Sequence, residues 1–121
     1  MNALLVVEDL PDIRAWLVDT ARIAFPDREV VAVGRCRAGL GEAVARRFDV
    51  ALIDLELPDG SGVAVIQALR THQPQAMSVV VTIHDDDDHL FPALQAGAFG
   101  YLLKESPQED LVAQLRRIAQ G

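Results

Sequence analysis

Five short apolar runs recur at near-even intervals: Ala3–Val7, Val30–Val33, Val50–Leu55, Ser78–Thr82 and Gly100–Leu103. Each is strand-sized, rich in Val or Leu, and lacks the polar alternation of a strand with one wet face. Runs apolar on both faces fit a parallel sheet covered by helices on both sides. The segments between them change period. Ile13, Trp16, Leu17, Thr20, Ala21 and Ala24 recur at spacings of three and one, so they form one buried stripe of a first helix that stops before Pro26. Trp16 goes with that stripe into the core. Val63, Ile66, Ala68 and Leu69 mark a third helix in the same way.

The last helix carries a start signal, with Ser106 as cap, Pro107 at the first helical position and Glu109 closing a capping box. Leu111, Val112, Leu115 and Ile118 form its buried face. The second helix, about Ala38 to Phe48, is weaker, because Gly39 and Gly41 each cost about 1 kcal/mol relative to Ala in a helix interior. Pro92 belongs in a first turn or makes a kink, which starts the fourth helix near Asp88 and ends it at Gly97, a left-handed cap.

Strand then helix, five times over with short connections, argues an α/β fold, a right-handed doubly wound sheet. A closed barrel of eight such units needs twice the length. The 121 residues suit one domain, with no repeat or linker. In open parallel sheets ligands bind at the carboxyl ends of the strands, where the strand order reverses.

Charge narrows what could bind there. Acids outnumber bases 18 to 11, and the net charge of −7 repels a phosphate backbone, so no nucleic acid is expected against this domain itself. A cation suits it better. Ten of the eleven bases are Arg, and Lys104 is the sole lysine. The single cysteine, Cys36, forms neither a disulfide within the chain nor a metal cluster, and is read as structural or incidental. The first apolar run has no basic segment before it and ends in Glu8-Asp9, too short for a signal peptide or a membrane span. A cytoplasmic protein is the expectation.

The polar residues that close the runs converge on one rim. Glu8 and Asp9 follow the first, Asp54 belongs to the end of the third, Thr82 closes the fourth and Lys104 follows the fifth. Crowded carboxylates repel by several kcal/mol per close pair at an effective dielectric of about 20, and a hard divalent cation offsets this. Oxygen ligands without paired His or Cys favour Mg²⁺ over zinc. An ammonium and a hydroxyl opposite them seat an anion such as a phosphoryl group, with a carboxylate between as nucleophile. Asp54 holds that middle place. Any one of these residues alone reads as wet loop surface; the set does not.

These residues resemble a two-component response-regulator receiver, the CheY-like domain, in LLVVEDL, VALIDLELPDGSG, VVVTIHDDDD and AGAFGYLLKES. The resemblance spans the chain and implies a flavodoxin-like (βα)₅ fold whose five-stranded parallel sheet has the order 2-1-3-4-5. It implies that Asp54 accepts a phosphoryl group from a sensor histidine kinase or a small phosphodonor. Asp9, Asp54 and the backbone carbonyl of Glu56 would hold Mg²⁺, with Glu8 acting mostly through a bound water. Lys104 would pair with Asp54 at rest and with the phosphoryl afterwards; Thr82 would bond the phosphoryl and let Tyr101 swing from outward to inward. The edge of the first helix near Pro11, Asp12 and Arg14 is where such domains meet a kinase.

The chain departs from the common pattern in Glu8, where Asp is more frequent, and in Glu105, where Pro often follows the lysine, so no cis peptide is expected there. Its ending, KESPQEDLVAQLRRIAQG, is most similar to receivers that precede a LuxR/NarL-type helix-turn-helix output. An isolated receiver and a stand-alone regulator are both compatible with these 121 residues. A homodimer is envisaged through the fourth helix, fifth strand and last helix, or through the first and last helices; Arg116 and Arg117 stand either at such an interface or on a solvated face.

Glu56 and His84, two residues beyond Asp54 and Thr82, are candidates for tuning hydrolysis, against a reading as wet loop. His84 and His89 flank four Asp, but a solvated helix approach outweighs a transition-metal site. Two competing functions fit less well. A phosphatase acting on external substrates would want Asp where Glu56 stands, and a flavodoxin-type binding module would want a Ser/Thr-rich phosphate loop where EDLPDIR stands.

Overall fold

Near-continuous burial along the central strands sets the architecture. In the computed structural model, which describes residues 2–83 and 87–120, the five runs become β1 (Ala3–Val7), β2 (Val30–Val33), β3 (Phe48–Ile53), β6 (Met77–Thr82) and β7 (Gly100–Leu103). They form one parallel sheet in the order β2-β1-β3-β6-β7, the expected 2-1-3-4-5 counted over the runs. Two further short strands, β4 (Glu56–Leu57) and β5 (Gly60–Ser61), make a small antiparallel hairpin beyond those five runs.

Successive side chains of a strand point to opposite faces, and here both faces are apolar. Leu4, Val6, Leu52, Val81 and Leu102 pack against Leu17 and Ala21 of α1 (Pro11–Ala24) and Leu111 and Leu115 of α5 (Gln108–Gln120). Leu5, Val7, Ala51, Ile53 and Val80 pack on the opposite face, against α2 (Cys36–Ala45), α3 (Gly62–His72) and α4 (Asp87–Ala96). Burial of each such side chain contributes about 1.5–3 kcal/mol, and the two clusters clamp the sheet from both sides. Trp16 is half-buried against the first of these clusters.

Several boundaries differ from expectation, each for a local reason. α2 starts at Cys36 because the carboxylate of Asp59, in the β4–β5 turn, accepts from the amides of Cys36 at 2.7 Å and Arg37 at 3.0 Å. It ends at Ala45, and Phe48 opens β3 instead of closing the helix, its amide donating to Gln73 Oε1 at 2.8 Å. Pro92 lies in the second turn of α4, which continues through it because Leu90, Ala93 and Ala96 are buried in the core. That helix ends before Gly97, whose φ of +120° only glycine adopts readily. α5 begins at Gln108, with the Pro107 carbonyl accepting from Asp110 and Leu111.

Arg116 is engaged within the chain. It donates to the carbonyls of Ile23 at 3.0 Å and Ala24 at 3.3 Å, a cation at the C-terminus of α1. Gln108, at the start of α5, bonds Asp19 and Thr20 one turn earlier on α1. Arg117 is exposed. Peptide bonds of the described residues are trans, and no helix among them is long and apolar enough to cross a membrane.

Candidate functional site

The strand register brings the polar residues level. Val7 lies opposite both Val33 and Ile53, Ile53 opposite Val80, and Thr82 opposite Leu103. Main-chain bonds run one residue further: Glu8 to Val33 at 3.0 Å, Asp54 to Val7 at 2.9 Å, and Lys104 to Thr82 at 2.9 Å. Each of these residues therefore leaves the sheet at the same height. From β1 the chain passes first to β2 on one side and then to β3 on the other, so this rim is the point where the strand order reverses.

Glu8 is fully buried, and its Oε1 lies 2.5 Å from Lys104 Nζ. Asp54 Oδ1 lies 3.5 Å from the same ammonium. The expected pairing of Lys104 with Asp54 is therefore present, and Glu8 is a second and nearer partner, its extra methylene carrying its carboxylate to the lysine. The second Glu8 oxygen accepts from the Leu10 amide at 3.3 Å. One oxygen each from Glu8, Asp9 and Asp54 lie within 4.8 Å of one another. At that separation two unit charges repel by about 3–4 kcal/mol at an effective dielectric near 20. One ammonium among three carboxylates leaves a negative surplus, and a set of hard oxygens with a fully buried Glu fits Mg²⁺. Above Asp54 opens a cavity of about 360 Å³, lined also by Asp9, Leu10, Ile13, Thr82, Ile83 and Lys104.

Burial pushes the Asp54 carboxyl up to about 6 from 3.8; Lys104 pulls it down, Glu8 raises it again, and a hydrogen bond from the Glu56 amide lowers it. The fold therefore holds a proton that the unfolded chain releases above about pH 4. The stability this group contributes is complete below pH 3.8, falls as pH rises to about 6, and stays low above that. In chelator-treated protein, denaturant titrations should show Asp54→Asn gaining about 3 kcal/mol over the natural chain between pH 4 and 7. Parallel curves across that range would contradict a carboxyl so placed.

Four contributions were not legible in the sequence. Gly62 approaches the peptide that follows the Asp54 side chain: a Cβ there would meet the Asp54 carbonyl oxygen at 2.2 Å. Asp59 ties the hairpin to α2, and its two amide bonds hold its carboxyl below the usual range. Arg14, expected at a docking edge, donates to the carbonyls of Glu8 at 3.1 Å and Asp9 at 3.4 Å. Ile83 and Leu10, 60% and 51% exposed, give the cavity an apolar rim. Glu56 is exposed in β4, Tyr101 is half-exposed in β7, and Thr82 is buried at the end of β6. Glu8, Asp9, Asp54, Thr82 and Lys104 are thus brought together. Tyr101 stands on the next strand over, and His84 lies outside the described residues.

Residues 4–116 match the family described as the response regulator receiver domain. The chain is 30% identical, over its full length and 56% of the other, to the DNA-binding transcriptional activator DevR/DosR of Mycobacterium tuberculosis. Among solved structures it is similar to the signal receiver domain of the response regulator NarL of the same organism, with TM-score 0.87, 29% identity, and 99% of this chain and 97% of that one covered. It is also similar to a Burkholderia pseudomallei response regulator whose structure contains a phosphorylated aspartic acid, a calcium ion and citrate, with TM-score 0.80, 26% identity, and 99% and 69% covered. The chain spans about half the length of the curated relatives it matches.

Proposed function

Because the chain belongs to the response-regulator receiver family, a family of signalling domains, we propose that its Asp54 accepts a phosphoryl group in a Mg²⁺-dependent reaction and that this charge switches the domain. The observation that carries the reading is the placement of Asp54 at the switch point, between two further carboxylates and the sole lysine, beneath an open cavity. The phosphorylated aspartic acid of the Burkholderia pseudomallei relative supports it.

The chemistry is a displacement at phosphorus. An oxygen of Asp54 attacks, the bond from phosphorus to the histidine nitrogen of a sensor kinase breaks, and its electron pair leaves with the imidazole. With acetyl phosphate the leaving group is acetate. When bound, Mg²⁺ supplies neutralisation of the phosphoryl oxygens and alignment of the acceptor. Asp9, Asp54 and the Glu56 carbonyl would hold it, with Glu8 behind them. The ammonium of Lys104, held by Glu8, faces the incoming charge, and Thr82 supplies a hydroxyl from the end of the neighbouring strand. Water returns the group to phosphate in the same site, tuned by Glu56 and His84, so the domain serves as its own slow substrate.

The added charge biases a two-state element, through Thr82 and then Tyr101. Thr82→Ala should still form the phosphoryl adduct, while amide chemical-shift changes along α4 and β7 shrink severalfold. An undiminished response would remove Thr82 from the switch. Exposed Phe91, Leu94 and Tyr101 make the α4–β7 face an apolar surface, which supports homodimerisation through α4, β7 and α5 over pairing of α1 with α5. The kinase would approach at Pro11 and Asp12 of α1. The output is transcriptional by likeness to the DNA-binding relative, carried by a segment other than these acidic 121 residues, and the whole protein acts from the cytoplasm. Incubation with Mg²⁺ and acetyl phosphate tests the proposal directly. A stoichiometric, hydroxylamine-labile adduct is expected, and its absence together with absent Mg²⁺ binding would overturn the reading.

A further inference from the structure

Two of the three carboxylates hang on a short connection, Glu8 to Leu10, between β1 and α1. Asp9 lines the cavity and the buried Glu8 brings an oxygen within 4.8 Å of those of Asp9 and Asp54, so the directions of both carboxylates depend on how the peptide planes of Glu8 and Asp9 are set. Arg14 reaches back from the first turn of α1, where its own amide bonds the Leu10 carbonyl at 2.8 Å. Its Nη1 donates to the carbonyls of both residues. The bonds run to main-chain oxygens, so the guanidinium fixes the two peptide planes and occupies no carboxylate oxygen itself.

A second observation is independent of those bonds. Gly34, which follows β2, lies under the guanidinium, and a Cβ built on it would meet Arg14 Nη1 at 2.8 Å and the Glu8 carbonyl oxygen at 3.7 Å. Bare backbone at this position keeps the seat of the guanidinium open. The strand that ends there is already tied to the site, through the bond from the Glu8 amide to Val33.

We infer that Arg14, seated in a slot that Gly34 keeps open, is a positioning residue for the divalent cation: it presets the Glu8–Asp9 main chain so that their carboxylates meet Asp54 in a cation-ready arrangement. The inference rests on the reading of this cluster as a Mg²⁺ site. Mg²⁺ demands near-octahedral geometry at about 2.0–2.1 Å, which makes a small rotation of this connection costly. Outer partners of metal ligands typically change affinity by about 10- to 100-fold when removed.

The test is a calorimetric Mg²⁺ titration of the full chain and its variants, with circular dichroism and amide hydrogen exchange on the metal-free forms. Arg14→Ala should bind Mg²⁺ about tenfold more weakly and exchange faster at Asp9 and Leu10. Arg14→Lys should also lose affinity, because an ammonium keeps the charge but not the planar fork. Gly34→Ala should reproduce the loss with Arg14 present, and the double variant should be no weaker than Arg14→Ala alone. Arg22→Ala, an exposed charge later on the same helix, should bind normally. Folded Arg14→Ala with natural affinity would overturn the inference, as would full rescue by Lys or losses that multiply in the double variant. Should Arg14→Ala prove unfolded, Arg14→Lys and Gly34→Ala decide by the same criteria. If the natural chain takes up no Mg²⁺, the site reading itself fails and the inference with it; natural binding with unaltered variants fells the inference alone.

Discussion

Asp54→Asn is expected to leave no hydroxylamine-labile adduct after incubation with Mg²⁺ and acetyl phosphate, under conditions that label the natural chain stoichiometrically. An amide has the volume of the carboxylate but no anionic oxygen to attack phosphorus, so the loss should reach about a thousandfold or more, about 4 kcal/mol of barrier. The neighbouring acids do not substitute. Glu8 is fully buried and held against Lys104, and Asp9 leaves the sheet from β1 rather than from the central β3 position. The variant should nevertheless fold and be the more stable protein at pH 7, because the burial that raises the Asp54 carboxyl no longer acts on a charge. Lys104 keeps Glu8 as its partner. Intact-mass and hydroxylamine assays, run beside a denaturant titration, separate loss of chemistry from loss of structure. An adduct persisting in the variant would move the acceptor elsewhere.

Gly62→Ala is the second large effect, and it is one of stability. The added methyl carbon would lie 2.2 Å from the Asp54 carbonyl oxygen and 2.8 Å from Ile53 Cγ2. Neither neighbour is a flexible chain end, since one is main chain and the other belongs to a fully buried core residue. Relief must come from moving α3 or the peptide after Asp54, at about 3 kcal/mol or more. For a domain of this size a thermal melt should fall by about 10 °C, and Mg²⁺ affinity should weaken with it, because the displaced peptide adjoins the acceptor. Gly41→Ala is the contrast. Nothing lies within 4 Å of a Cβ there, and in the interior of α2 alanine should raise stability by about 1 kcal/mol. A melt of Gly62→Ala within a couple of degrees of the natural chain would show that the clash is absorbed without cost.

The elements that chemistry and burial specify locally are those the sequence makes legible. A strand apolar on both faces announces a covered parallel sheet, and residues that end such strands must meet at one rim, which is why Glu8, Asp9, Asp54, Thr82 and Lys104 form one group on sequence alone. The features that escaped are bonds between a side chain and a distant main chain, which leave no period. The cap of α2 is Asp59, 23 residues beyond Cys36. Arg14, Arg116 and Gln108 look like ordinary helix-surface residues, and Gln73, buried with bonds to Ala43, Arg46 and Phe48, follows a helix end without any signal of its role. Gly62 carries no sign in the sequence of the carbonyl packed beside it. Lys104 pairs with Asp54 as expected, but its nearer partner, Glu8, escaped because which of two nearby carboxylates comes closer depends on one methylene.

Lys104 is the only side-chain amine of the chain, and it stands within the site, mostly buried between Glu8 and Asp54. Any amine-seeking acyl donor therefore finds no harmless side-chain target on this domain: a single acylation erases the counter-charge of the acceptor. The same fact makes the residue a natural reporter, since the extent to which an amine reagent marks Lys104 counts the molecules whose site stands open.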